Sequence, residues 1–557
     1  MLYRIISKIF SSLTGGERYV FAGALLLAFI SGLFLAAGWW NKNIERVPAD
    51  GGEYREGAVG QPLHVNPVLI AGNDVDRDIA ELVFDDLAEL AESSKADDGG
   101  RTWTIFLKDG VRWHDGERLT SDDVIFTLDL VQNPETRSPL FQVWQGVAAE
   151  RISELEIKFV LRAPYVFFAD NLKDLKILPR HLFENVPPAN LKLAAYNLEP
   201  IGSGPFKFLS YDKRRSGFIT DYNLTRNDEY HGQKPRLQNF SFKFYPNETE
   251  LIQAFNARKI DGAGGINPKN ISRLVFDEQA ATLRLPRYHA VFFNQSVHPA
   301  LKDKNVRLAL TQATDKKRLI GEVFDGRAVV ADGPLLLGLE GYEPASFPEA
   351  EYSPENAEKT LLASGWKNGE DGVKIKKTGD RELRLEFNLV VPQVDFLIAA
   401  ANSLKEQWGR IGVKINPVVL GADEIGKNVI KTRNYEMILF GNVLGGNPDL
   451  FSFWHSSEKF YPGSNLSLYD NKTADRLIED IRQNPDAGVR RKNLAALQKL
   501  IVGAMPAVFL FSPNYIYVSR KTAENFNTRP ISTPSERFSE IERWFVKTSI
   551  KFKKSDA

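Results

Sequence analysis

The sequence predicts an α/β protein of several lobes, preceded by one N-terminal transmembrane helix. Three observations predict it: a length of 557 residues with an ordinary globular composition, a strand-helix-strand succession in the C-terminal half, and an uncharged apolar run near the start. At ~150 residues per domain, such a chain is too long for one core. A hydrophobic fraction of 43% against 25% charged residues supplies enough apolar surface to build several.

Residues 19–40 carry no charge and are long enough to cross a hydrocarbon layer of ~30 Å as a helix. Arg4, Lys8 and Arg18 outweigh Glu17 in the leading tail, which keeps that tail in the cytoplasm and everything beyond Trp40 outside. Tyr19 and the Trp39-Trp40 pair stand at the two ends, where amphipathic rings favour the headgroup zone. A cleaved signal peptide is the other reading, although the run exceeds the ~15 residues of a signal core and lacks a good small-residue cleavage site. The expected location is a single-pass protein of the cell membrane, its C-terminal body extracytoplasmic. Residues 41–55, with Pro48, Asp50, Gly51 and Gly52, read as a short tether.

In the body, residues 103–108 alternate large apolar and polar side chains as a half-buried strand does, and the turn at Asp109-Gly110 suggests a hairpin with residues 111–113. Thr120 and Asp123 have capping-box spacing for a helix that follows. Further on, 384–390 reads as a strand, 394–408 as a helix, and 413–419 and 435–440 as strands, the pattern of an α/β lobe. Ser353-Pro354 opens another helix and Gly365 ends it.

Several chemistries are excluded. Lys plus Arg equals Asp plus Glu at 71 each, so no net charge draws the chain to nucleic acid. There is no Cys, which removes disulfides, thiolate metal sites, thiol nucleophiles and lipidation through Cys. The seven His residues show no i, i+4 pair, and neither a phosphate-binding loop nor a nucleophile elbow occurs. His114-Asp115 and Asp122-Asp123 suit turns and caps better than acid/base work. No catalytic residue, metal or cofactor is expected.

The stretch Trp103-Thr-Ile-Phe-Leu-Lys-Asp-Gly-Val-Arg-Trp113-His-Asp-Gly-Glu-Arg-Leu-Thr-Ser-Asp-Asp-Val124 resembles the signature of the peptide and nickel substrate-binding proteins of ABC importers, solute-binding protein family 5. In family order follow Ile201-Gly-Ser-Gly-Pro-Phe206, Arg226-Asn-Asp-Glu-Tyr230, Phe292-Phe-Asn294, Lys304-Asn-Val-Arg307, Tyr352-Ser-Pro-Glu-Asn-Ala357, Asn447-Pro-Asp449, Asn465-Leu-Ser-Leu-Tyr469 and Pro506-Ala-Val-Phe509. The resemblance implies a two-lobed periplasmic-binding-protein-like clamp with an extra subdomain in lobe one. Together with the cytoplasmic tail 1–18, anchor 19–40 and tether 41–55 read above, it places lobe one at 56–90. The extra subdomain follows at 91–195, lobe one resumes at 196–288, lobe two is 289–512, lobe one returns at 513–547, and 548–557 is a polar tail. The chain would cross between lobes near residues 287–294 and 510–515. The implied partners are a peptide or similar small solute and ABC permease subunits, with a monomeric ligand-binding body. A tethered sensor or assembly protein using the same clamp is an alternative; an extracytoplasmic hydrolase lacks a nucleophile arrangement.

The resemblance also implies ligand-binding positions. Phe293 and Asn294 at the first crossing offer an aromatic wall and an amide, or else an ordinary strand end. Phe440, Gly441 and Asn442 end a strand where peptide binders of this family often hold an acidic residue for the ligand's α-amino group; the residue here is Asn442. An amide forms no charge-assisted bond to an ammonium, a departure from the peptide pattern. Asp449 would cap the next turn. Trp454 is the cleft candidate among Phe451, Phe453, Trp454 and Tyr461, and Asn465 suits either a ligand backbone or its own turn. Trp113 and Asp115-Gly116 are assigned to structure.

Overall fold

The computed structural model describes residues 12, 14–70, 72–275, 279–343, 350–520 and 531–552. Most of the expected cytoplasmic tail, residues 1–11 and 13, and the last five residues of the expected polar tail lie outside them. The helix Gly15–Asn43 contains the apolar segment and is exposed along it. The expected tether is not one. Ile44–Ala49 forms a strand that pairs antiparallel with Lys547–Phe552, and Glu53–Val59 is a strand inside a sheet. Ile44-Glu45-Arg46-Val47 shows no alternation, and its strand partner, residues 547–552, lies at the other end of the sequence, where no local pattern announces it.

Two large sheets organise the body. The first has seven strands in the order Gln279–Leu283, Tyr515–Ser519, Gly262–Gly264, Glu53–Val59, Asn239–Tyr245, Ile219–Arg226 and Phe206–Lys213. The second has six, in the order Ala328–Val330, Ala507–Pro513, Arg287–Phe293, Met437–Val443, Glu386–Pro392 and Lys414–Leu420. The chain passes between them only twice among the described residues, from Leu283 to Arg287 and from Pro513 to Tyr515. A separate four-stranded sheet, Ala91–Asp97, Thr102–Leu107, Glu156–Val160 and Ala148–Ser153, interrupts the first. The suggested hairpin after residue 108 does not form: Thr102–Leu107 pairs with its neighbours on both sides, while Arg112 bridges Arg118.

Local chemistry explains the helices. Thr120 and Asp123 close a capping box on Ser121–Gln132, and Ser353 caps Pro354–Ala363, after which Gly365 takes φ 84°. The helix Asp395–Gly409 and the parallel strands around it reproduce the expected α/β succession. Two of the family-like motifs, around His114 and around Gly202, meet in one joint. A Cβ on Gly202 would sit 1.9 Å from the Val83 carbonyl oxygen, so only glycine lets this turn lie against the end of the helix Asp74–Val83. His114 holds the turn from the other side: its Nδ1 accepts from Gly202 N–H at 3.2 Å and its Nε2 lies 3.0 Å from the Gly204 carbonyl. Burial pushes His114 down to about 4, so it stays neutral. Trp113 is buried and Gly116 turns the chain at φ 97°, both structural roles.

Candidate functional site

Each strand of a sheet presents alternate residues to opposite faces. On Arg287–Phe293, directly after the first crossing, Val291 and Phe293 enter the core formed with the helices of the second sheet. Tyr288, Ala290 and Phe292 enter a different core, which also contains Trp454, Phe509 and, from the four-stranded subdomain, Phe167. The face bearing Tyr288 shares its core with the helices Lys472–Gln483 and Ala487–Ala504 and, through Phe167, with the four-stranded subdomain. The parallel strands Glu386–Pro392, Lys414–Leu420 and Met437–Val443 end at the same edge, since Val443 lies opposite Arg287. Ligands of open α/β sheets bind beyond the carboxyl ends of such strands.

At that edge the Tyr288 hydroxyl accepts from Asn442 Nδ2 at 2.8 Å and from Trp454 Nε1 at 3.2 Å. Burial raises the Tyr288 hydroxyl well above the usual phenol range, so it is a neutral group. Asn442 Oδ1 has no hydrogen-bond partner among the described residues. Behind Asn442, Gly441 leaves room for His289, whose Nε2 would be 2.8 Å from a Cβ there. His289 stacks on Phe511 at 5.3 Å, burial pushes it down to about 3, and its Nδ1 is buried without a partner. Two residues earlier, burial lowers the half-buried Arg287 guanidinium; Asp74 and Tyr515 oppose this from the first sheet's side. Asp74 is itself paired with Arg77.

A second set of groups joins the lobes. Tyr165 donates its hydroxyl to Asp449 Oδ2 at 2.9 Å, and Arg482 Nε lies 3.2 Å from the same oxygen. The Arg482 guanidinium covers the rings of Tyr165 and Phe451 at 4.8 and 4.3 Å, and its backbone carbonyl accepts from Val166 N–H. Asp449 Oδ1 meanwhile accepts from Phe451 N–H, so the expected turn cap and an interlobe bond share one carboxylate. Sequence reasoning missed Tyr165 and Arg482 because neither lies in a motif and Tyr165 is 284 residues from Asp449.

The expected binding positions divide. Phe440, Gly441 and Asn442 lie together at the edge, the first two half-buried. Trp454 touches the same group but is enclosed by Phe292, Phe509 and Tyr469, so it packs beneath the edge and does not form an open wall. Phe293 is buried on the opposite face, the ordinary strand end. Asn294 donates to the Arg433 carbonyl and accepts from the Ser296 N–H and hydroxyl, which ties up its amide in a turn. Asn465 donates to the carbonyls of His455 and Tyr469 and accepts from Tyr469 N–H and Ser467, leaving nothing for a ligand. No cluster of three metal-ligating side chains occurs among the described residues.

Comparison with known proteins agrees with this architecture. Residues 87–462 match the model of the bacterial extracellular solute-binding proteins, family 5 middle region. The oligopeptide-binding protein AppA of Bacillus subtilis is 27% identical over 526 residues, 90% of this chain and 92% of that protein. Its solved structure, in complex with a nonapeptide, superimposes with a TM-score of 0.73 at 26% identity and covers 90% of this chain and all of that one. The structure of NikZ from Campylobacter jejuni in complex with Ni(L-His) shares the fold at a TM-score of 0.70 and 24% identity, covering 90% of this chain and all of that one. The fold is the two-lobed periplasmic-binding-protein clamp.

Proposed function

We propose, from the fact that this chain belongs to the bacterial extracellular solute-binding proteins of family 5, that it captures peptides between its lobes and passes them to a membrane permease while anchored by its own N-terminal helix. A substrate-binding role is the coarser statement, and it holds for the family as a whole. The observation that carries the finer one is the seam: two adjacent crossings join the sheets, and Tyr165 bonds to Asp449 and Val166 N–H to the Arg482 carbonyl across the lobes. A solute between rigid lobes stabilises the closed form, and a permease that distinguishes closed from open reads its presence.

Phe440, Gly441 and Asn442 are the ligand positions that this reading retains. Asn442 Oδ1 is a neutral acceptor at the edge, suited to a peptide N–H without demanding a charged amino terminus. Backbone pairing of this kind is indifferent to side chains, which favours a broad peptide range. Gentle purification of the full chain, followed by denaturing release and mass spectrometry, should yield a heterogeneous set of uncleaved peptides. One discrete non-peptide species would refute the peptide assignment, and cleavage of an added peptide would refute a purely binding role.

A further inference from the structure

The strand pair next to the apolar helix has a surface that the clamp does not use. Ile44 N–H bonds to the Trp40 carbonyl at the helix end, so the pair leaves the helix with no intervening linker. Directly opposed residues of an antiparallel pair share a face. Ile44 with Phe552, and Arg46 with Ile550, therefore line one side. Phe552 packs on both indoles, 6.3 Å from Trp39 and 5.6 Å from Trp40. Trp39 is 60%, Trp40 45%, Ile550 57% and Phe552 58% exposed, a contiguous apolar surface in a sheet of only two strands. An isolated two-stranded sheet is marginal in water and needs support on a face.

We propose that this strand pair seats the body on the anionic headgroup layer of a lipid bilayer, with Trp39, Trp40, Ile550 and Phe552 in the layer and Arg46 at the phosphates. The proposal rests on the uncleaved-anchor reading. The 26 residues Gly15–Trp40 make ~39 Å of helix at ~1.5 Å per residue. That exceeds a hydrocarbon core of ~30 Å, so the indoles reach a headgroup layer ~5–8 Å deep. A strand advances ~3.4 Å per residue, which carries Arg46 and Ile550 ~7 Å beyond Ile44 and Phe552, to the depth of the phosphates. Lys42, Arg46, Lys547 and Lys551 outnumber Glu45 across residues 42–49 and 547–552, the charge that anionic headgroups complement.

The absence of Cys makes the test direct, because a single introduced thiol labels one site. The full chain carrying Ile550→Cys or Phe552→Cys, labelled with an environment-sensitive dye, is reconstituted alone in phosphatidylglycerol vesicles containing shallow nitroxide lipids. Leu193→Cys, at a position 82% exposed on the body, is the reference. Quenching at 550 and 552 at least threefold stronger than at 193 is expected, with loss of the excess when the lipid is zwitterionic and the salt is raised. An intact chain with equal quenching at the three positions overturns the seating alone. A mature chain whose mass shows that it starts beyond Trp40 in its native membrane overturns the anchor reading and the seating together.

Discussion

Arg537→Met should destabilise the region behind the seam by several kcal/mol at pH 8 and by markedly less at pH 5. Arg537 is buried and donates two bonds to Asp78, at 2.7 and 2.6 Å, and one to Glu56 at 2.9 Å. Asp78 lies on the helix Asp74–Val83, Glu56 on the central strand Glu53–Val59, and Tyr517 on the returning strand donates to Glu56 at 2.7 Å. One guanidinium thus ties the returning chain to the two elements behind Asp74. Burial pushes the Glu56 carboxyl up to about 7 and raises Asp78 as well, while Arg537 opposes both shifts. Removing one partner of a buried ion pair costs ~3–5 kcal/mol, because the remaining charges stay desolvated. In the variant that opposition is lost, so both carboxyls rise further and take up protons as pH falls. The sign follows from linkage: a carboxyl raised in the native state gives stability below its unfolded value that is lost as pH climbs through the folded one. With Arg537 present that window for Glu56 runs from 4.5 to about 7, and in the variant its upper end lies higher. Amide exchange of the helix Asp74–Val83 should accelerate ~100-fold or more at pH 8, since 1.4 kcal/mol is tenfold in a population. Adding Glu56→Gln and Asp78→Asn should recover more than half of the loss. A single variant that costs under ~1 kcal/mol, or one whose cost is the same at pH 5 and pH 8, would refute the reasoning.

Two further substitutions separate structural from binding roles. Asn465→Ala removes four hydrogen bonds inside one loop and should cost ~2–4 kcal/mol in chemical unfolding; peptide affinity of the folded fraction should not change, and a selective affinity loss would return Asn465 to the site. Arg287→Gln removes a half-buried cation whose Nε has no partner. Its melting temperature should therefore hold, with a stability change within ~0.5 kcal/mol, and a fall of several degrees would reveal an ion pair across the crossing.

Much of the fold was legible because its signals are local. Thr120 with Asp123, and Ser353 with Pro354 and Gly365, are caps whose chemistry completes itself within a few residues. Pairings without local signals were not legible: residues 44–49 read as a tether because nothing near them names residues 547–552, and Tyr165 carries no sign of Asp449. Of the expected positions, Phe440, Gly441 and Asn442 lie together, while Phe293 and Asn294 are taken up by packing and a turn. The first crossing was located at the right strand, yet Phe293 and Asn294 were chosen at its far end, where one packs into a core and the other closes a turn. A strand flips face at every residue, so a shift of one moves a side chain from one core to the other. Tyr288 lies on the other face of that strand, and its hydroxyl gathers Asn442 and Trp454 from two other segments. Burial on both faces had erased the polar-apolar alternation that would have announced it: every residue from Tyr288 to Phe293 is buried.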